Sequence, residues 1–121
     1  MSGPPPHATN ASITVDEYHK LADSSLEAML DAFEWMAESD ETVQDVEYSN
    51  HVLTLSVPKG VYVFNKQPPT MQLWLSSPVS GPKRYDWDAD KETWVYLRDG
   101  TLLEDLLTEE LGVEVDFADL D

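Results

Sequence analysis

The sequence predicts an α+β fold in which an antiparallel sheet of about six strands carries an N-terminal and a C-terminal helix on one face. Three observations support this. The chain opens on a long helix-period stretch at 15–38 and has a shorter one after Asp99-Gly100. Between them lie short β-rich runs bounded by turn signals. The connectors leave no room for crossover helices, so consecutive strands pair as an antiparallel meander. A length of 121 residues with 41% apolar content suits a single domain with its own core, taken as 13–121. Residues 1–12 (MSGPPPHATNAS) are Pro-rich and polar and read as a flexible tail. They lack the Arg-rich amphipathic character of a transit peptide.

The first helix starts at Thr14, because Thr14-Val15-Asp16-Glu17 is a capping box, with Ile13 and Tyr18 placed as a hydrophobic staple. At about 100° per residue, Val15, Tyr18, Ala22, Leu26, Met29, Leu30, Phe33, Met36 and Ala37 share one face. Asp16, Asp23, Glu27, Asp31, Glu34 and Glu38 form a purely acidic ridge beside it. Strands are expected at Val43–Tyr48, His51–Val57, Val61–Lys66, Met71–Ser76, Lys83–Trp87 and Thr93–Leu97. Ser49-Asn50, Pro58-Lys59-Gly60 and Pro68-Pro69-Thr70 supply turns. A second capping box at Thr101–Glu104 starts the last helix, whose stripe is Leu102, Leu103, Leu106, Leu107 and Leu111. Gly112 stops it, and Val113–Asp121 folds back over the core.

Charge sorts the possible partners. The chain has 24 acidic and seven basic residues, a net charge of −17, which disfavours nucleic-acid backbones and anionic membranes. No stretch approaches the roughly 18 apolar residues of a membrane span. With no Cys, disulfides, thiolate metal sites and Cys nucleophiles are excluded. The charge is also unevenly placed: residues 1–47 carry −10, 48–87 carry +3 and 88–121 carry −10.

Neighbouring ridge carboxylates stand one or two turns apart, where like charges destabilise a helix by about 0.2–0.5 kcal/mol per pair. Two readings stay open: a solvated face, or an exposed surface that holds hard cations weakly and several at once. Asp16, His19 and Asp23 lie close on the helical wheel, and one imidazole among carboxylates shifts preference from Ca²⁺ or Mg²⁺ toward Fe²⁺, Mn²⁺ or Co²⁺. Asp86-Trp87-Asp88-Ala89-Asp90 begins like an EF-hand loop. It fails because Lys91 stands where Gly is required and Leu97 where a bidentate Glu is required. Conventional catalysis finds little support: His7, His19 and His51 have no evident Ser partner, and no phosphate-cradling Gly loop is present.

The stretch from Asn65 to Trp87 mixes Asn65, Gln67, Gln72, Trp74, Lys83 and Arg84 among apolar residues. Trp74 alternates with core-like Leu73 and Leu75, so its ring either emerges on the face away from the helices, as in an interface hot spot, or is simply buried.

The runs Asn65-Lys66-Gln67-Pro68, Gln72-Leu73-Trp74-Leu75-Ser76-Ser77-Pro78 and Ser80-Gly81-Pro82-Lys83-Arg84-Tyr85-Asp86-Trp87 resemble the frataxin family. The resemblance extends from about Thr14 to Gly112. It implies the frataxin-like α-β sandwich and a mitochondrial matrix location after removal of a transit peptide. It implies weak iron binding at Asp23, Glu27, Asp31, Glu34 and Glu38, with Asp45 and Glu47 added from the first strand; His19 stands where many relatives have an acid. It further implies docking on the iron–sulfur assembly complex of cysteine desulfurase and scaffold protein, through Asn65, Gln72, Trp74 and Arg84, which speeds sulfur transfer to the scaffold. Some family members are credited with ferroxidase activity. The leading expectation is therefore a promoter of iron–sulfur cluster assembly, monomeric or oligomerising with iron. Mn²⁺ and Co²⁺ serve as redox-stable surrogates for Fe²⁺. The alternatives are a ferroxidase storing Fe³⁺, working near Asp16, His19, Asp23 and Glu27, and an acidic adaptor without a metal role. In the family the C-terminal segment covers the gap between the helices, so the short, acidic Val113–Asp121 bears on stability more than on function.

Overall fold

A computed structural model describes residues 13–118; the expected tail at 1–12 lies outside them. Helix α1 (Val15–Ser39) is followed by strands β1 (Asp45–Ser49), β2 (Val52–Val57) and β3 (Gly60–Gln67). A 3₁₀ turn at Pro68–Thr70 leads into β4 (Gln72–Ser77), β5 (Gly81–Asp88), β6 (Thr93–Tyr96) and β7 (Thr101–Leu102), then α2 (Leu103–Leu111). The seven strands lie side by side in chain order, every neighbouring pair antiparallel, as the short connectors require.

The capping box forms at the start of α1: Glu17 N donates to Thr14 Oγ1 at 3.0 Å, and Thr14 N donates to the Glu17 carboxylate at 2.7 Å. From there the helical period lays Tyr18, Ala22, Leu26, Met29 and Phe33 onto the sheet, all fully buried. Ile13 is partly buried against the same core. Val15, expected in that stripe, is exposed, because at the first helical position its side chain leans back beyond the packed layer. Helix α1 covers β1–β3 and α2 packs on β6 and β7. Leu53, Leu55, Phe64, Leu73, Leu75, Tyr85 and Trp94 fill the space between helices and sheet. Val113 and Phe117 close the core after Gly112, which takes the left-handed conformation (φ 68°) that ends α2.

The C-terminal helix departs from expectation. Thr101 and Leu102 form a seventh strand, pairing with Tyr96 and Val95, so α2 begins at Leu103. The anticipated capping box is absent: extended Leu102 is the N-cap and offers no side-chain bond. Thr101 Oγ1 donates instead to Asp99 at 2.7 Å, and the Glu104 carboxylate accepts from Thr93 Oγ1. The Thr101 N–H, which a capping-box Glu104 would have bonded, donates to Asp99 Oδ1 at 3.0 Å.

Register fixes which residues share the face away from the helices. One cross-strand row reads Ser49, Val52, Asn65, Trp74 and Arg84; the next reads Gln67, Gln72, Asp86 and Val95. Gln72, which the resemblance places among the docking residues, is buried within that face.

Candidate functional site

The α1 ridge follows from spacing alone. Asp16, Glu27, Asp31, Glu34 and Glu38 are exposed along the helix, while Asp23 is half-buried. Asp23 differs in chemistry as well. Its Oδ1 lies 2.8 Å from Lys66 Nζ and 3.4 Å from His51 Nδ1, and the Lys66 side chain is only 5% exposed. A lysine buried that deeply needs a counter-charge, and Asp23 supplies it through Oδ1. His51, which showed no partner in the sequence, reaches Asp23 from the β1–β2 turn with a left-handed backbone (φ 62°).

Glu34, Glu38 and Asp45 come together around a shallow cleft between the end of α1 and the start of β1. Glu47 pairs across from Thr54, and strand alternation places it on the sheet face away from α1. Val46 and Tyr48, on the other side of β1, pack against the core. Burial pushes the Tyr48 hydroxyl pKa up, and the charges of Asp23 and Glu27 push it further. His19 sits half-buried, its ring 5.4 Å from that of Tyr18. Among the described residues no three His, Cys, Asp or Glu side chains converge to hold a metal ion. The ridge is thus a row of open, water-washed carboxylates, suited to labile contact with hard cations rather than to a closed cage. Trp35, 68% exposed beside Glu34, had no place in the sequence reading.

The sheet face is built differently. Asn65 and Arg84 flank Trp74 directly across the ladder. The Arg84 guanidinium lies 4.5 Å from the centre of the Trp74 ring, a cation–π contact. The Trp74 indole donates to Gln72 Oε1 at 2.8 Å, and Gln72 Nε2 donates to the Asp86 carboxylate at 3.2 and 3.3 Å. A carboxylate accepts only, so buried Asp86 fixes which end of the Gln72 amide faces the indole. The chain Asp86–Gln72–Trp74–Arg84 therefore presets an aromatic-cationic surface. The sequence indicated Asn65, Gln72, Trp74 and Arg84; it did not indicate Asp86, whose signal is its register position opposite Gln72.

An α-β sandwich with an acidic helix ridge on one side and a fixed Trp–Arg sheet surface on the other defines a class of α+β domains that carry two chemically distinct surfaces. The comparisons make that class specific. Residues 11–116 match the frataxin-like domain. A mitochondrial frataxin homolog of Schizosaccharomyces pombe is 48% identical over 97 residues, covering 78% of this chain and 61% of the relative. The mitochondrial frataxin of Arabidopsis thaliana is 46% identical over 101 residues, covering 79% and 52%. Among solved structures, trimeric Saccharomyces cerevisiae frataxin in its ferrous complex superposes with a TM-score of 0.71 at 48% identity, covering 78% of this chain and 84% of that one. The chain belongs to the frataxin family. It spans about half to three-fifths of the length of these two curated relatives.

Proposed function

We propose that this chain promotes iron–sulfur cluster assembly in the mitochondrial matrix, carrying Fe²⁺ as weakly held cargo and engaging a cysteine desulfurase–scaffold complex through its sheet face. The observation that carries the reading is the Asn65–Trp74–Arg84 row, held by Gln72 and Asp86 on the face the helices leave open. A large aromatic fixed at the centre of such a face is the usual anchor of a protein interface. The iron half is supported by the exposed acids Glu27, Asp31, Glu34, Glu38 and Asp45, and by a homologous yeast frataxin that takes ferrous iron. Weak, open sites suit a donor, because cargo must leave. They suit a ferroxidase less well, since that chemistry needs two irons held close enough to share O₂. The trimeric state of the yeast relative supports assembly into oligomers under iron load.

The test is Trp74→Ala in a reconstituted desulfurase–scaffold assay. Stimulation of cluster formation is lost, while the fold and the Mn²⁺-induced broadening of α1 NMR signals are unchanged. Full stimulation by the variant would overturn the docking assignment.

A further inference from the structure

The hollow beside Trp74 has a second wall. The β5–β6 ladder runs only over Asp86–Asp88 opposite Thr93–Val95, so Gly81–Tyr85 has no strand on that side. The chain leaving β6 splays from this free edge, with Tyr96 and Tyr85 rings 6.0 Å apart. The opening, ≈ 670 Å³, is lined by Asn65, Trp74, Lys83, Arg84, Tyr96 and Arg98 among others. Every charged residue lining it is a cation, in a chain whose acids outnumber its bases 24 to seven.

Those cations are not equally free. Lys83 Nζ donates to the Ser80 carbonyl at 2.9 Å and lies 5.8 Å from the Tyr96 ring centre. Among the described residues the ion pairs all fall on Asp23, so neither Arg84 nor Arg98 has a carboxylate partner. Two guanidinium forks beside two aromatic rings match a carboxylate next to an apolar side chain.

We infer that this hollow seats an acidic segment of the partner protein. Its Asp or Glu side chains meet Arg84 and Arg98, and an apolar neighbour packs on Trp74 and Tyr96. The inference rests on the sheet face being the docking surface and adds both the class of segment and Arg98 as a binding residue.

The experiment measures affinity of the full chain for the desulfurase–scaffold complex. Arg98→Glu is compared with Lys91→Glu, an exposed cation in the β5–β6 turn that changes net charge equally but does not line the hollow. Arg98→Glu and Arg98→Gln weaken binding, the reversal by about tenfold or more. Arg98→Lys, which keeps the charge but loses the planar fork, weakens it less than Arg98→Gln, and Lys91→Glu stays near wild type. In parallel, a capped peptide of alternating aspartate and leucine shifts the NMR signals of the Trp74 indole and the Tyr96 ring, and its asparagine counterpart does not. Wild-type affinity of Arg98→Glu alongside loss in Trp74→Ala overturns the inference and leaves the docking surface standing. Equal weakening by Lys91→Glu, or no response to the aspartate peptide, also overturns it. If Trp74→Ala and Arg98→Glu both bind normally, the docking surface falls as well.

Discussion

Along α1, Glu27, Asp31, Glu34 and Glu38 stand exposed and in no ion pair among the described residues, each repelling the next. Across the sheet, Trp74 is held by a hydrogen bond from its indole, by a guanidinium on its ring, and by a carboxylate that orients the amide it touches. The first region has many interchangeable atoms and the second has few irreplaceable ones. On the proposed function, a surface that releases Fe²⁺ gains from that redundancy. One that must select a partner gains from side chains fixed before contact, because less entropy is lost on binding.

The largest single-residue effect should therefore fall on the sheet. Trp74→Ala is expected to cost about 2–4 kcal/mol in docking on the assembly complex, read as a fall in affinity by isothermal titration calorimetry. A loss within the range of a rim residue would mean that the face is not centred on Trp74. The supporting chain comes next. Gln72→Ala removes the amide shared by the Trp74 indole and buried Asp86, and should destabilise the fold by about 1–3 kcal/mol in urea titrations. It should also weaken docking, although Gln72 itself is only 8% exposed. Unchanged docking would show that Trp74 needs no positioning from behind.

These two predictions separate what the sequence reveals from what it hides. The helix stripe from Tyr18 to Phe33, the meander and the Gly112 stop are local patterns, and they are legible because period and turn chemistry act over a few residues. The outward face of Trp74 follows from alternation in the same way. Gln72–Asp86, Lys66–Asp23 and the Arg98 wall are not legible, since each depends on register between strands or on where α1 crosses the sheet. The false capping box at Thr101 has the same cause: partners in β6 compete with the local signal. Asp23 shows the consequence for function. Its spacing makes it one of the ridge acids, but its contacts make it the counter-ion of a buried lysine.

A third, smaller effect tests the frame that holds both surfaces. Glu110 on α2 accepts from Tyr62 Oη at 2.8 Å, Ser77 Oγ at 2.7 Å and Ser80 Oγ at 2.6 Å, tying that helix to β3, β4 and the β4–β5 turn. Partial burial pushes its pKa up, but the bonds from Ser80, Ser77 and Tyr62, with Lys83 nearby, outweigh this and hold it below the ordinary glutamate value. A depressed folded-state pKa stabilises above the unfolded-state value and is lost as pH falls through the folded one. Glu110→Gln imitates the protonated form, so it should cost about 1 kcal/mol at pH 7. The gap to wild type should close as thermal melts are taken below the ordinary glutamate pKa of about 4.3. A gap that persists unchanged at pH 3 would mean that the carboxylate charge contributes nothing there.

The smallest effects belong to the ridge, and their smallness is the point. If Fe²⁺ is shared among open carboxylates, neutralising one removes only part of the local field, and its neighbours on the next turn still offer oxygen ligands. Glu34→Gln or Asp31→Asn alone should change the Mn²⁺ affinity of α1 by less than about twofold, whereas neutralising Glu27, Asp31, Glu34 and Glu38 together should abolish it. Each neutralisation also removes a like-charge pair, so the same variants should melt slightly higher, by a few tenths of a kcal/mol per site. Affinity and stability then move in opposite directions along the series. If one substitution removed nearly all Mn²⁺ binding, the metal would occupy a discrete site, and the ridge would resemble the sheet face in depending on single residues. If the quadruple variant bound Mn²⁺ normally, the cation would sit elsewhere, and the acids of α1 would be a solvated face held at a cost in helix stability.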